Sequence, residues 1–425
     1  MSVDCGHSAG LTRCSKLALM IHQTMIHAAR DMSPSAATSA TLLAGLADRN
    51  PTLFRRIGLP LGDPSASIGL PSGNKIRIVR DLEMDRVQAV GADSGDDSVA
   101  IELGTVFCPA DFAPAEGKLS ADRETATAQA VTECLLREGI TRVRCDRTLP
   151  MIYAYHVAAA GIELDYDDEL GVVDRRVKTE SEITSLRQAQ HVTEQVMLQI
   201  CRRIATASVD DDGHLIDEAY LLTSERIRAF ASRLFMDRGF TMSHGAIVAS
   251  APHSADCHHA GTGPLSTGVP IIVDLFPRDE STRYNGDCTR TVVHGTVSDE
   301  IARMHAAVVA SKAAGEAELV PGGSGDAVHR AVIRSLVAAG YESHRGELTD
   351  EPSIQHGTGH GIGLDVHEPI LLDEGGGELL AGEVFTVEPG LYGRRTGGVR
   401  LEDMLVVTEN GPENLNELPF DLDWT

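Results

Sequence analysis

The sequence predicts an α+β fold in two parts: a smaller α/β unit followed by a larger α+β domain. Three observations carry this expectation. At 425 residues the chain exceeds one usual domain. Between residues 74 and 146, strand and helix signals alternate. From residue 179 a long amphipathic helix leads into further helices and apolar strands, several carrying carboxylates where apolar residues belong.

In the first part, "NKIRIVRDLE" (74–83) and "DSVAIELG" (97–104) predict strands. "ADRETATAQAVTECLLREG" (121–139) predicts a helix ending at Gly139, and "TRVRCD" (141–146) another strand. The polar residues here are dispersed. His156, alone among apolar neighbours, reads as a packed or half-exposed histidine, so an organising or oligomerising role fits this part best. Residues 1–33 hold an apolar run broken by His22 and Gln23, unlike a signal peptide. They read as a disordered leader, or as sequence upstream of a start at Met20, Met25 or Met32. The expected domains are therefore 34–176 and 177–425.

The second part opens with "TESEITSLRQAQHVTEQVMLQICRRIATA". Its apolar positions Ile183, Leu186, Val192, Val196, Ile200 and Ile204 keep helical spacing. Acids in the first turn and arginines in the last suit the helix dipole. Further helices are predicted over 216–238, 299–318 and 326–338. Strands are predicted at "VPIIVDLF", "CTRTVVHG", "EVFTVEPG" and "VRLEDMLVVTENG".

Composition excludes several partners. A formal charge of −25, from 37 basic and 62 acidic residues, would repel a phosphate backbone and anionic lipid. Only 4% of residues are aromatic, too few to favour base-stacking platforms. Nucleic acid and membrane are thus not expected as partners, and no run approaches the ~18 apolar residues of a membrane span. Eight scattered cysteines without a CxxC pair suggest reduced thiols and a cytoplasmic setting.

Chemistry concentrates in the second part. Asp274 closes the apolar run "IIVD", and Asp287 opens "DCTRTVV" across a turn-rich linker, which reads as a hairpin. Glu388 ends "VFTVE". Glu402 lies inside "VRLEDMLVV", two residues after Arg400, so both are expected on one strand face. A carboxylate on so apolar a strand is costly unless paired or metal-bound. Between these strands, "HGTGHGIGLDVHE" (356–368) threads three histidines through four glycines, which disfavour a helix and let backbone pass close to a ligand. Two Asp, one His and two Glu form a hard-oxygen set suited to two divalent ions about 3.5–4 Å apart. Manganese, cobalt or iron suit it, with zinc as a further option.

At these residues the chain resembles the pita-bread metallopeptidases, in particular the Xaa-Pro dipeptidase (prolidase) and Xaa-Pro aminopeptidase branch. The matching pieces are "IIVDLF", "GDCTRT", "HGTGHGIGLDVHE", "VFTVEPGLY" and "GGVRLEDMLVVTENG", in the family's order. The resemblance implies a C-terminal pita-bread (creatinase/aminopeptidase) catalytic domain preceded by a smaller α/β creatinase-type domain. It implies five metal ligands, Asp274, Asp287, His360, Glu388 and Glu402, with Asp287 and Glu402 shared between two ions, of which manganese comes first. His360 and Glu388 would hold one ion and Asp274 the other.

The resemblance also implies that His356 and His367 line the substrate and that Arg400 faces it beside Glu402. Glu388 would accept the proton of the attacking water. The family's upstream histidine falls on "ADCHHAGTGPL"; His258 is preferred and His259 is the alternative. Two departures stand out. Leu275-Phe276-Pro277 follow Asp274 where relatives place glycine, and the gap to Asp287 is two residues longer than the common spacing. An even insertion at a hairpin tip keeps both carboxylates on one sheet face.

The implied activity is dimetal hydrolysis of Xaa-Pro bonds in dipeptides or short peptides by a metal-bridging hydroxide, in a homodimer. Two rivals are a creatinase-like, metal-free C–N hydrolase and a non-catalytic pita-bread binding module. Retention of all five ligands argues against both. The extra N-terminal domain argues against a methionine aminopeptidase.

Overall fold

The structure is a computed structural model that describes residues 39–93, 104–114, 117–243 and 245–425. The leader expected at 1–33 lies outside the described residues, as does the strand expected at 97–104 apart from Gly104. The described chain divides into two compact units, 39–170 and 171–425. The expected boundary at 177 stands downstream of this division, because Arg175, Arg176 and Lys178 are ion-paired within the second unit.

The first unit is a six-stranded sheet with helices. Its elements are β1 (Ala40–Leu46), α1 (Pro51–Ile57), β2 (Pro64–Gly69), β3 (Lys75–Ile78), α2 (Met84–Asp93), β4 (Thr105–Phe107), α3 (Arg123–Arg137), β5 (Arg142–Cys145), α4 (Met151–Ala159) and β6 (Glu163–Tyr166). The strand order is β4-β3-β2-β1-β5-β6. The strand expected over 74–83 is shorter, because Asp81–Glu83 turns into a 3₁₀ segment that leads into α2. Asp122 caps α3 by accepting the Thr125 amide.

The second unit opens with a short helical turn, Val173–Arg176, and then α5 (Glu180–Ala205). Thr179 and Glu182 form a capping box there, and all six apolar positions expected on its inner face are buried. The helix expected over 216–238 is corrected to α6 (Ser224–Met236). Its first residues instead form a tight hairpin, Leu215–Asp217 against Tyr220–Leu221, because Glu218 and Ala219 adopt left-handed backbone (φ 49° and 68°). Beyond it come β7 (Ala246–Ser250), β8 (Pro270–Leu275), β9 (Cys288–Val293), α7 (Asp299–Glu316), α8 (Gly325–Ala338), β10 (Gly359–Gly361), β11 (Glu368–Leu372), β12 (Val384–Val387), β13 (Gly390–Gly393), β14 (Gly397–Arg400) and β15 (Asp403–Val406).

Strands β8 and β9 pair antiparallel, with Asp274 opposite Thr289, so the expected hairpin is present. The single strand expected around Glu402 is not. The chain leaves the β13–β14 pair at Leu401–Glu402 and joins β12 as β15. At the break, the Glu402 amide donates to Thr289 O (3.1 Å), and Arg290 Nη1 donates to Glu402 O (2.7 Å). These bonds replace the ladder that a continuous strand would have used.

Arg290 also holds a buried polar knot. Its Nη2 donates to Asp403 Oδ1 at 2.8 Å, and Lys312 Nζ donates to Asp403 Oδ2 at 2.7 Å. The ring of Phe420 lies under both cations. No described helix is long and apolar enough to cross a membrane. The described cysteines are all free.

Candidate functional site

Strand ends and one short central strand bring the expected ligands together. Asp274 lies in β8, Asp287 just before β9, His360 in the middle of β10, Glu388 just after β12, and Glu402 between β14 and β15. All five line one cavity of about 670 Å³, with His258, His356, His367 and Arg400 also on its wall. Donor atoms of Asp287, His360 and Glu402 lie within 4.8 Å of one another. His360 Nε2 is 3.5 Å from Glu388 Oε1 and 3.9 Å from Asp287 Oδ2.

Glycine makes this crowding possible. A Cβ at Gly359 would lie 1.9 Å from Thr386 O, and one at Gly361 would lie 2.7 Å from Pro369 O. Only glycine lets β10 run that close to its neighbours, and it carries His360 into the centre between them.

The electrostatics leave a cation-shaped deficit. Burial pushes Glu388 up to about 7, against Arg400 and with Asp274. Burial raises Asp287 and Glu402 well above the carboxylate range, and the other carboxylates add to it. Burial also raises Asp274, while Arg400 opposes the shift. Burial lowers His360 to about 3, so its imidazole is neutral at pH 7. Its Nδ1 meets Gly361 O at 3.1 Å, which assigns the proton there and turns the Nε2 lone pair toward the carboxylates. A lone pair facing ionised carboxylate oxygens is repulsive unless a proton or a metal cation lies between them. Asp274 Oδ1 is buried without a hydrogen-bond partner. Four carboxylates, a neutral imidazole and one orphaned oxygen fit divalent metal.

A pH dependence follows. The four carboxylates titrate higher in the folded, metal-free protein than in the unfolded chain, so the folded state holds more protons through that window. Metal-free stability should therefore fall as pH rises through about 7. Metal binding displaces those protons, so manganese affinity should rise about tenfold per pH unit for each proton released. Melting curves of chelated protein at pH 5.5 and 8, with titration calorimetry at both, check the two signs.

Arg400 is held on every side. Its Nη2 donates to Asp274 Oδ2 (2.6 Å), Nε to Thr289 Oγ1 (3.3 Å), and Nη1 to Cys257 O (3.1 Å) and the Tyr392 hydroxyl (3.2 Å). Thr289 Oγ1 in turn donates to Glu402 Oε2 at 2.7 Å. The Tyr392 hydroxyl lies 2.7 Å from His356 Nε2, while His356 Nδ1 meets Gly357 O at 2.7 Å. Both His356 nitrogens are thus engaged within the protein, and burial, then Arg400, lower it to about 3. His356 therefore meets the cavity as a neutral ring.

His367 lies edge-on to His360, ring centroids 4.2 Å apart. Of the histidine pair, His258 lines the cavity, whereas His259 Nδ1 accepts the Gly261 amide and its ring stacks on His253. Sequence reasoning missed Tyr392 and Thr289. The signal for Tyr392 was its place in "VFTVEPGLY"; the first of two threonines in "CTRTVV" gave none. Tyr392→Phe should leave the fold intact and lower kcat/KM about 10–100-fold, because Arg400 and His356 lose their shared partner. Steady-state kinetics beside a melting curve checks this.

Fold and site together define a pita-bread metallopeptidase. Residues 184–409 match the model of metallopeptidase family M24, and the chain belongs to that family. The uncharacterized peptidase YqhT of Bacillus subtilis is 38% identical over 184 residues, 42% of this chain and 48% of that protein. Xaa-Pro aminopeptidase 1 of Streptomyces coelicolor is 30% identical over 285 residues, 60% of this chain and 55% of that protein. The chain thus spans about half the length of these curated relatives. Among solved structures, the Xaa-Pro dipeptidase from Bacillus anthracis superposes with a TM-score of 0.72 at 21% identity, covering 90% of this chain and 94% of that one. Likeness at that identity speaks for the fold.

Proposed function

We propose that the protein is a metallo-exopeptidase that cleaves Xaa-Pro bonds in dipeptides or short peptides. What supports this most is the convergence of Asp274, Asp287, His360, Glu388 and Glu402 on one cavity around a neutral imidazole. These residues would hold two divalent ions, manganese first, with Asp287 and Glu402 shared, His360 and Glu388 on one side and Asp274 on the other. When bound, such ions polarise a carbonyl and bring the pKa of water toward about 7.

The chain's own groups would do the rest. Glu388 would take the proton of the attacking water and pass it to the departing proline nitrogen. His258 and His367 on the wall would orient the substrate carbonyl and the developing oxyanion. Arg400 would hold Asp274 in place rather than titrate. Ile247, Phe276 and Val366 offer apolar wall for a proline ring. On the same reading the first unit, 39–170, organises a cytoplasmic homodimer, and the second, 171–425, is the catalytic domain.

Purified protein given manganese or cobalt should release proline from Ala-Pro or Gly-Pro, or the N-terminal residue from Ala-Pro-Ala. No hydrolysis of any of the three, across metals, would overturn the reading.

A further inference from the structure

We propose that Lys178, acting through Glu368, is a positioning residue that fixes the loop 363–368 and with it the imidazole of His367. This rests on the function proposed above. Lys178 Nζ lies 3.0 Å from Glu368 Oε2, and the two side chains are only 3% and 2% exposed. The Lys178 amide is itself anchored on Gly382 O at 2.9 Å.

Glu368 folds the loop onto itself. Its Oε1 accepts the amides of Leu364 (3.1 Å) and Asp365 (3.3 Å) and lies 3.5 Å from Arg175 Nη1. Arg175 Nη1 also donates to Asp365 Oδ2 at 2.9 Å. From the other side, Asn285 donates its amide (3.0 Å) and its Nδ2 (2.8 Å) to Gly363 O, two residues before Asp287. The loop is therefore clamped at both ends, and Asp365, Val366 and His367 between them line the cavity.

None of these bonds is made by a metal-ligand side chain, although the His360 ring meets the loop at the Val366 backbone and at His367. Nor does a buried ion pair give much net stability, since an apolar pair of similar volume is often as good. What the pair does supply is a fixed geometry one residue from His367. Displacing a reacting neighbour by about 1 Å can cost on the order of 100-fold in rate.

The test compares manganese-loaded full-length wild type, Lys178→Met and Lys178→Arg by hydrogen exchange, by kcat and KM on Ala-Pro-Ala across pH, and by metal content. Lys178→Met should speed amide exchange over 362–368 at least about tenfold. Exchange in α5 and metal content should stay at wild-type values. Its kcat should fall by up to about 100-fold with a smaller change in KM, and its pH profile should move. Lys178→Arg, which keeps the charge, should restore most of both.

Wild-type exchange over 362–368 in Lys178→Met would overturn the proposal. So would faster exchange with unchanged kcat and pH profile. If Lys178→Met does not fold, Glu368→Gln is measured in the same way, and the same two results overturn the proposal. If wild type cleaves no Xaa-Pro peptide, the proposed function falls, and exchange alone decides whether Lys178 fixes the loop.

Discussion

Replacing Glu402 with alanine should strip metal from the protein and lower kcat/KM by at least about 10³-fold, beyond the 10–100-fold typical for losing an outer partner of a metal ligand. Glu402 is 2% exposed, and its donor oxygen shares a cluster with Asp287 and His360. The same substitution should leave the metal-free protein at pH 8 as stable as wild type or more so. It removes a buried carboxylate that Glu388 and Asp274 repel. Elemental analysis, kinetics and a melting curve of chelated protein separate the two effects. A variant that keeps its metal and its activity would show that Glu402 is not a ligand.

The largest loss of stability should come from the next residue. Asp403 is fully buried and receives hydrogen bonds from Arg290, Lys312 and Asn414. Burial raises its carboxyl, but Arg290 and then Lys312 pull it back below the usual range, so it is ionised at neutral pH. Asp403→Ala leaves buried Arg290 without its carboxylate and Lys312 with Glu316 alone. Breaking a buried pair in this way costs about 3–5 kcal/mol. For a unit of this size that is a fall in Tm of roughly 10 °C. Measuring it on chelated protein keeps metal linkage through Glu402 out of the result. Asp403→Asn should be milder, since it keeps the shape and part of the hydrogen bonding.

These two neighbours show what could be read from the chain alone. The inner face of α5 was legible because helical spacing is local, and Ile183 through Ile204 are buried as that spacing requires. The hairpin holding Asp274 was legible because turn formers sit between two apolar runs. The tight turn at Glu218–Ala219 was not, since neither residue type announces left-handed backbone. The break at Leu401–Glu402 was equally hidden. An alternating strand pattern runs straight through it, and the partners that end the strand, Thr289 and Arg290, lie more than a hundred residues away. β1 and β2 escaped for a similar reason: "ATLLAGL" and "PSASIG" are rich in small residues, and only their pairing makes them strands. Ligand types were readable from composition and order. Tyr392, Thr289 and Lys178, which hold those groups still, act through distant contacts that no local pattern records.

The break at Leu401–Glu402 also bears on the metal. Arg400 belongs to one sheet and Asp403 to another, while Glu402 stands on the two-residue step between them. The carboxylate of Glu402 thus enters the cavity from the place where the chain passes between sheets, steadied by the Thr289 hydroxyl. A substitution deep in either sheet should therefore shift that carboxylate, and with it the metal preference, without altering any residue of the cavity wall.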